Sequence, residues 1–296
     1  MRRLRALTAG VAMLAASVAA AAEKPVIAAV NYPLAYFAER LGGDAVEVLF
    51  PIPADADPAF WRPKLKDIAA IQAADLIALN GAGYAAWTTK ASLRRSRIVD
   101  TSAGFSDDYI QTETVTHSHG DGGEHSHAAI ATHTWLDFAL AARQAEALAS
   151  AMARRVPEAA ATVDAARSDL IGELEALDRE AAAAAEALRG RAIIATHPRY
   201  QYFARAYGLD IRSLEWEAGE APSEKQWRDL TALAEETGAA ILLWEAAPPD
   251  AARERAAAAG FADAMLPTLA NRPGTGDFLS AMRSALADLA ALAPTD

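Results

Sequence analysis

The chain has 296 residues, 52% hydrophobic and 23% charged, a globular balance with room for one large or two medium domains. Its formal net charge of -11 argues against nucleic acid or an anionic membrane as a partner. It contains no cysteine, so no disulfide framework is available and the fold must rest on its core.

Arg2, Arg3 and Arg5 form a basic start, Leu7 to Ala19 an apolar run, and Ala20, Ala21 and Ala22 a small-residue end. This pattern predicts a secretory signal peptide over residues 1–22, cut after Ala22. The apolar run is shorter than the roughly 20 residues that a spanning helix needs. No cysteine precedes the cut, so no lipid attachment is expected, and the predicted location is the periplasm. Removal of the three arginines takes the net charge to about -14, a balance compatible with a cationic ligand.

Short apolar runs at 26–30, 46–50, 76–79 and 98–99 read as strands separated by helical patterns. Residues 138–156 and 158–189 are dominated by Ala, Leu, Glu and Arg and read as two helices parted by Pro157. The second is long enough at 1.5 Å per residue to act as a rigid strut, and Gly190 is its expected C-terminal cap. Strand-like runs resume at 192–196, 211–214 and 240–244. The sequence from Ile27 to Gly42 can also be laid over that from Ile193 to Gly208, with Asn31 and His197 at matching strand ends and Tyr-Phe-Ala following in both. The expectation is an α/β fold of two similar lobes, each a mainly parallel sheet flanked by helices, joined by a long rigid helix. The predicted organisation is an N-terminal metal-binding lobe at 23–135, a helical linker at 136–189 and a C-terminal lobe at 190–296. Ligands are expected in the cleft at the carboxyl ends of the strands.

Five of the six histidines, His117, His119, His125, His127 and His133, fall close together, and His197 is the sixth. Residues 116–128 hold two His-x-His pairs around a Gly, Asp and Glu centre with no apolar periodicity, which predicts a flexible loop. Imidazoles suit zinc, copper and nickel, and such a tract can wrap a divalent ion. The ordering entropy makes that grip weak. His133 stands just before a helix that Asp137 would cap, and His197 ends a strand, so both are better preorganised than the loop histidines. Glu245 follows the strand ending at Trp244 and would share the sheet edge with His197.

Three stretches carry a family resemblance. They are Asp57-Pro-Ala-Phe-Trp-Arg-Pro63 with Ile71 to Trp87, His133-Thr-Trp-Leu-Asp137, and Thr196-His-Pro-Arg-Tyr-Gln-Tyr-Phe-Ala-Arg-Ala-Tyr-Gly-Leu209. Together they resemble the cluster A-I solute-binding proteins, which deliver zinc or manganese to ABC permeases. An acidic, His-rich loop before the second family histidine is typical of the zinc-specific members. The resemblance implies two α/β lobes joined by a long helix, a metal held in the cleft of a monomer, and an ABC transporter permease as partner. The family site has three histidines and one aspartate, of which His133 and His197 carry over. Ala59 stands where the family has the histidine of Asp-Pro-His, and Pro267 where it has an aspartate. Neither side chain can ligate, and tetrahedral zinc takes four donors, or three and a water. A loop histidine or one of Asp55, Asp57, Glu215, Glu217 and Glu245 would have to complete the centre. The expected metal set is His133, His197 and Glu245, with His117, His119, His125 and His127 as an auxiliary loop and Zn2+ or a similar divalent metal as cargo.

Other readings are a metal-dependent enzyme, a binder of a metal chelate, and a periplasmic metal chaperone or buffer. No His-Glu-x-x-His, Gly-x-Ser-x-Gly or cysteine nucleophile is present to support the enzyme. Trp61, Trp87, Trp135, Trp216, Trp227 and Trp244 could line a chelate pocket or fill cores.

Overall fold

The computed structural model describes residues 23–112 and 129–293. The predicted signal peptide at 1–22 and the loop histidines His117, His119, His125 and His127 lie outside the described residues. Among the described residues, no helix is long and apolar enough to cross a membrane.

The first lobe runs β1 (Val26–Ala29), α1 (Tyr32–Gly42), β2 (Glu47–Leu49), α2 (Leu65–Ala73), β3 (Leu76–Leu79) and β4 (Ile98–Asp100). Its strands are all parallel, in the order β2-β1-β3-β4. A two-residue antiparallel pair follows, β5 (Gln111–Thr112) with β6 (Ala129–Ile130). Two long helices come next, α3 (Phe138–Arg155) and α4 (Ala160–Glu186). The second lobe runs β7 (Ala192–Ala195), α5 (Gln201–Tyr207), β8 (Asp210–Ser213), α6 (Glu224–Thr237), β9 (Ile241–Trp244), α7 (Asp250–Ala258), β10 (Ala262–Met265) and α8 (Phe278–Ala290). Its strands are also all parallel, in the order β10-β9-β7-β8. Taken from its other edge this is second, first, third, fourth, the same order as the first sheet. The repeat seen between Ile27 and Ile193 therefore extends to the topology of both sheets.

The central strands are covered on both faces, which is why they read as unbroken apolar runs. All four residues of β9, Ile-Leu-Leu-Trp, are buried. Helix starts are set by side-chain caps. Asn31 accepts from the Leu34 amide at 3.2 Å with Pro33 in the first turn of α1. Asp137 accepts from the Leu140 amide at 3.1 Å and starts α3.

Helix α4 buries Val163, Leu170, Leu174, Leu177, Ala181, Ala184 and Ala185. Their spacing makes one apolar stripe. It packs along α1 and α3 on one side of the molecule and α8 on the other. The helix closes at Glu186, earlier than the glycine cap predicts. Its end tightens into i to i-3 bonds, from the Leu188 amide to the Ala185 carbonyl and from the Arg189 amide to the Glu186 carbonyl. Gly190, at φ +76°, then turns the chain toward β7.

The two lobes share one continuous core, which takes in Ile27 of β1, Leu174 of α4, Ile193 of β7, Leu243 of β9 and Phe278 of α8. Hydrogen bonds cross between them as well. The Tyr32 amide donates to the Ala270 carbonyl at 2.8 Å, and Trp135 Nε1 to the Thr268 carbonyl at 2.7 Å. A shared apolar core of this kind opposes wide hinge opening.

Behind the cleft lies a buried polar network. Asn80, just past β3, accepts from Asn31 Nδ2 at 3.2 Å, from Thr134 Oγ1 at 3.3 Å and from Gln144 Nε2 at 3.2 Å. Its Nδ2 donates to the Thr132 carbonyl at 3.0 Å, and Gln144 Nε2 also reaches Thr101 Oγ1 at 2.9 Å. The network fixes residues 132–134, which flank and include His133. Gln144→Ala leaves several buried groups without a partner and should lower stability by about 1–3 kcal/mol. Urea denaturation checks this; an unchanged midpoint would show that the network relaxes freely.

Candidate metal centre

A cavity of about 460 Å³ opens where the carboxyl ends of both sheets converge. Residues 54–58, which follow β2, form one wall, and residues 267–273, which follow β10, form another. His133, His197 and Glu245 all line it, with Asp55, Asp57 and Glu217. Glu215 does not line it, and neither does any of the six tryptophans. Trp216, Trp227 and Trp244 pack together in the core of the second lobe, and Trp135 is fully buried. Pro267 lines the cavity, whereas Ala59 packs against the core behind it. Leu269, near Pro267 in the lining, has φ +51°, a left-handed conformation that residues other than glycine adopt at a cost.

His197 lies two residues past the end of β7, and Glu245 immediately follows β9, its neighbour in the sheet. His197 Nδ1 is 2.5 Å from Glu245 Oε2. The other carboxylate oxygen accepts from Thr268 Oγ1 at 3.1 Å. Both oxygens of Glu245 are therefore engaged, and the imidazole is oriented with Nε2 as its free nitrogen. A carboxylate behind a histidine in this way fixes the tautomer and makes the exposed nitrogen a better donor. Burial alone would raise the Glu245 carboxyl, but the hydrogen bond and charge of His197, with Arg199 and Thr268, hold it below its usual value.

His133 enters from the other lobe, at the head of the short turn Thr134–Leu136. Its Nδ1 is 3.1 Å from Thr132 Oγ1, and its ring is 4.8 Å from Trp135 and 5.9 Å from Tyr84. Only 3% of its surface is exposed. Burial first, then the charges of Arg199 and His197, push its pKa well below the usual 6.5. It is neutral at physiological pH, the state that ligates a metal.

Two further side chains, which sequence reasoning passed over, shape the centre. The Tyr84 hydroxyl is buried and has no hydrogen-bond partner among the described residues. Burial, then Asp57 and Glu245, hold it protonated against the opposing charge of Arg199. Arg199 bridges to Asp57 with Nη2 to Oδ2 at 2.9 Å. An arginine directly after the His-Pro of a strand-end motif was the available signal for it. Among the described residues, no group of three or more His, Cys, Asp or Glu side chains is placed to hold a metal ion.

The sequence model of the family described as zinc-uptake complex component A, periplasmic (ZnuA), matches residues 27–292. The chain belongs to this family. It is 26% identical to the high-affinity zinc uptake system protein ZnuA of Bacillus subtilis over 182 residues, covering 60% of this chain and 57% of that protein. It is 24% identical to the zinc-binding lipoprotein AdcA of Streptococcus pneumoniae over 221 residues, covering 72% of this chain and 44% of that protein. The chain thus spans about half the length of these relatives. A crystal structure of ZnuA superposes with a TM-score of 0.71 at 26% identity, covering 92% of this chain and all of that one.

The buried histidine of this ZnuA-family chain makes its stability pH-dependent. His133 has a lower pKa folded than the 6.5 expected unfolded, so the unfolded chain takes up the proton first as pH falls. This contribution is constant above about pH 6.5 and is lost below it, by up to about 1.4 kcal/mol per pH unit. Metal-free protein should therefore lose stability between pH 6.5 and pH 5.5, with a shallower slope in His133→Gln. Equal slopes in urea titrations would remove His133 as the cause.

Proposed function

We propose that this chain is an exported solute-binding protein that captures zinc between its lobes and hands it to an ABC transporter permease. The observation that carries this reading is the pairing of two imidazoles across one cavity. His197 is oriented by Glu245, and His133 is kept neutral by burial. Imidazole nitrogen suits zinc better than it suits manganese. Family membership and the zinc functions of the Bacillus and Streptococcus relatives support the same cargo.

In this reading His133 and His197 ligate through nitrogen. Glu245 acts behind His197, orienting it, instead of serving as the third ligand. Water fills the remaining positions, and His117, His119, His125 and His127 form an auxiliary metal loop. The chain works by capture and release, without catalysis, as a periplasmic monomer. The signal peptide occupies 1–22, the metal-binding lobe 23–135, the helical linker 136–189 and the second lobe 190–296.

Equilibrium titration of the chain from residue 23 tests the function. One zinc per chain at micromolar concentration or tighter is expected, and absence of binding there would sink the reading. Glu245→Gln, which keeps the shape but weakens the hold on His197, should lower zinc affinity about 10–100-fold. Unchanged affinity in that variant would show that Glu245 has no part in the site.

A further inference from the structure

A buried cation, Arg199, stands beside the cavity, while Arg272 lines it. Arg199 follows His197 by two residues, and its backbone amide donates to the His197 carbonyl at 2.9 Å. It is only 8% exposed. Its Nη2 meets Asp57, which lines the cavity, and its guanidinium carbon lies 5.3 Å from the centre of the Phe60 ring. Its Nε is buried and has no partner among the described residues. A guanidinium keeps its charge in such a setting, because it does not lose its proton in proteins.

This placement has two consequences for a divalent ion. The Asp57 carboxylate lines the cavity, but one oxygen accepts from Arg199 and the other from the Ala59 amide at 2.8 Å, so its charge is already offset and it is a poorer ligand. The guanidinium itself belongs to a residue two positions from His197 and ends on a carboxylate of the cavity wall. A cation bound between the imidazoles would therefore meet a like charge in a partly desolvated space, where screening is weak.

We propose that Arg199 is an affinity-limiting residue: its guanidinium neutralises Asp57 and opposes the incoming ion, giving the two-histidine centre a weak, readily released grip on zinc. The proposal rests on the zinc-capture reading. Its discriminating feature is the sign of the effect. Were the bridge only a clasp between lobes, breaking it from either end would shift affinity in the same direction. Under the proposal, Arg199→Gln removes a repelling charge and frees a carboxylate, whereas Asp57→Asn leaves the cation uncompensated.

The test is competition titration of Zn2+ against a chelating indicator, using the chain from residue 23 and its variants, with circular dichroism and thermal unfolding to confirm the fold. Arg199→Gln should bind zinc at least tenfold more tightly than wild type. Asp57→Asn should bind at least threefold more weakly, and Arg199→Lys, which keeps the charge, should stay near wild type. Arg199→Met serves as a second neutral variant should Arg199→Gln fail to fold. Equal or weaker binding in a folded neutral variant, or same-direction shifts in Arg199→Gln and Asp57→Asn, overturns the proposal while leaving zinc capture standing. Absence of zinc binding in wild type and in both neutral variants overturns the functional reading with it.

Discussion

Zinc binding should collapse when His133 and His197 are replaced together by alanine. Each contributes a neutral ring nitrogen from a rigid part of the fold, His133 through the buried Asn80–Gln144–Thr134 network and His197 through Glu245. Of the cavity-lining acids, Asp57 is tied to Arg199 and Glu245 to His197 and Thr268, while Asp55 and Glu217 supply no imidazole nitrogen. The expected loss exceeds the roughly 10–100-fold that follows from removing an outer partner of a ligand. Each single variant should fall between wild type and the double variant. Competition titration reads the effect directly, with circular dichroism as the control for folding. Retention of wild-type affinity in the double variant would move the metal away from the cavity and onto another part of the chain, with residues 116–128 first to examine.

The second large effect is expected at Trp135. Its side chain is fully buried, 5.4 Å from Tyr84 and 4.8 Å from the ring of His133. Its indole N–H reaches across to the Thr268 carbonyl, and the Thr268 hydroxyl in turn holds Glu245. One residue therefore fills the core beneath one candidate ligand and steadies the partner of the other. Trp135→Ala should cost about 3–5 kcal/mol of stability, from lost burial and the hole left behind. Trp135→Phe keeps most of the packing but strands the Thr268 carbonyl, and should cost about 1–3 kcal/mol. Both should also weaken zinc binding, the alanine variant more. Urea denaturation of the metal-free protein measures the first effect and titration the second. A loss below about 1 kcal/mol for Trp135→Ala would contradict the packing described here.

Much of the fold was legible because buried parallel strands are written as apolar runs with few interruptions. Leu76–Leu79 and Ile241–Trp244 are of this kind, and both are buried strands. The edge strand β10, Ala262–Met265, was missed because Asp263 breaks the run and alanine has little preference for strands. The pair Gln111–Thr112 and Ala129–Ile130 was missed because two residues carry no periodicity. The end of α4 was placed late because Gly190 looked like the cap, whereas the chain had already tightened at Ala185 to Arg189.

The candidate site was legible only in part. His133 and His197 stand out as histidines at element ends, and the structure brings both to one cavity. Glu245 was legible as a strand-end acid, but its hydrogen bond to His197 depends on β7 and β9 being neighbours, a fact of topology and not of local sequence. The Asp57–Arg199 bridge spans 142 positions along the chain, and the buried Tyr84 hydroxyl acquires its meaning only from what surrounds it. Such long-range pairings arise when two lobes meet, and no pattern within either lobe announces them.

The most direct test of the central claim is a zinc-loaded crystal structure with anomalous scattering recorded at the zinc edge. The account predicts one strong peak in the cavity between the lobes, bonded at about 2.0–2.1 Å to a ring nitrogen of His133 and to Nε2 of His197, with Glu245 still on Nδ1. A fully occupied zinc that contacts neither histidine would contradict it.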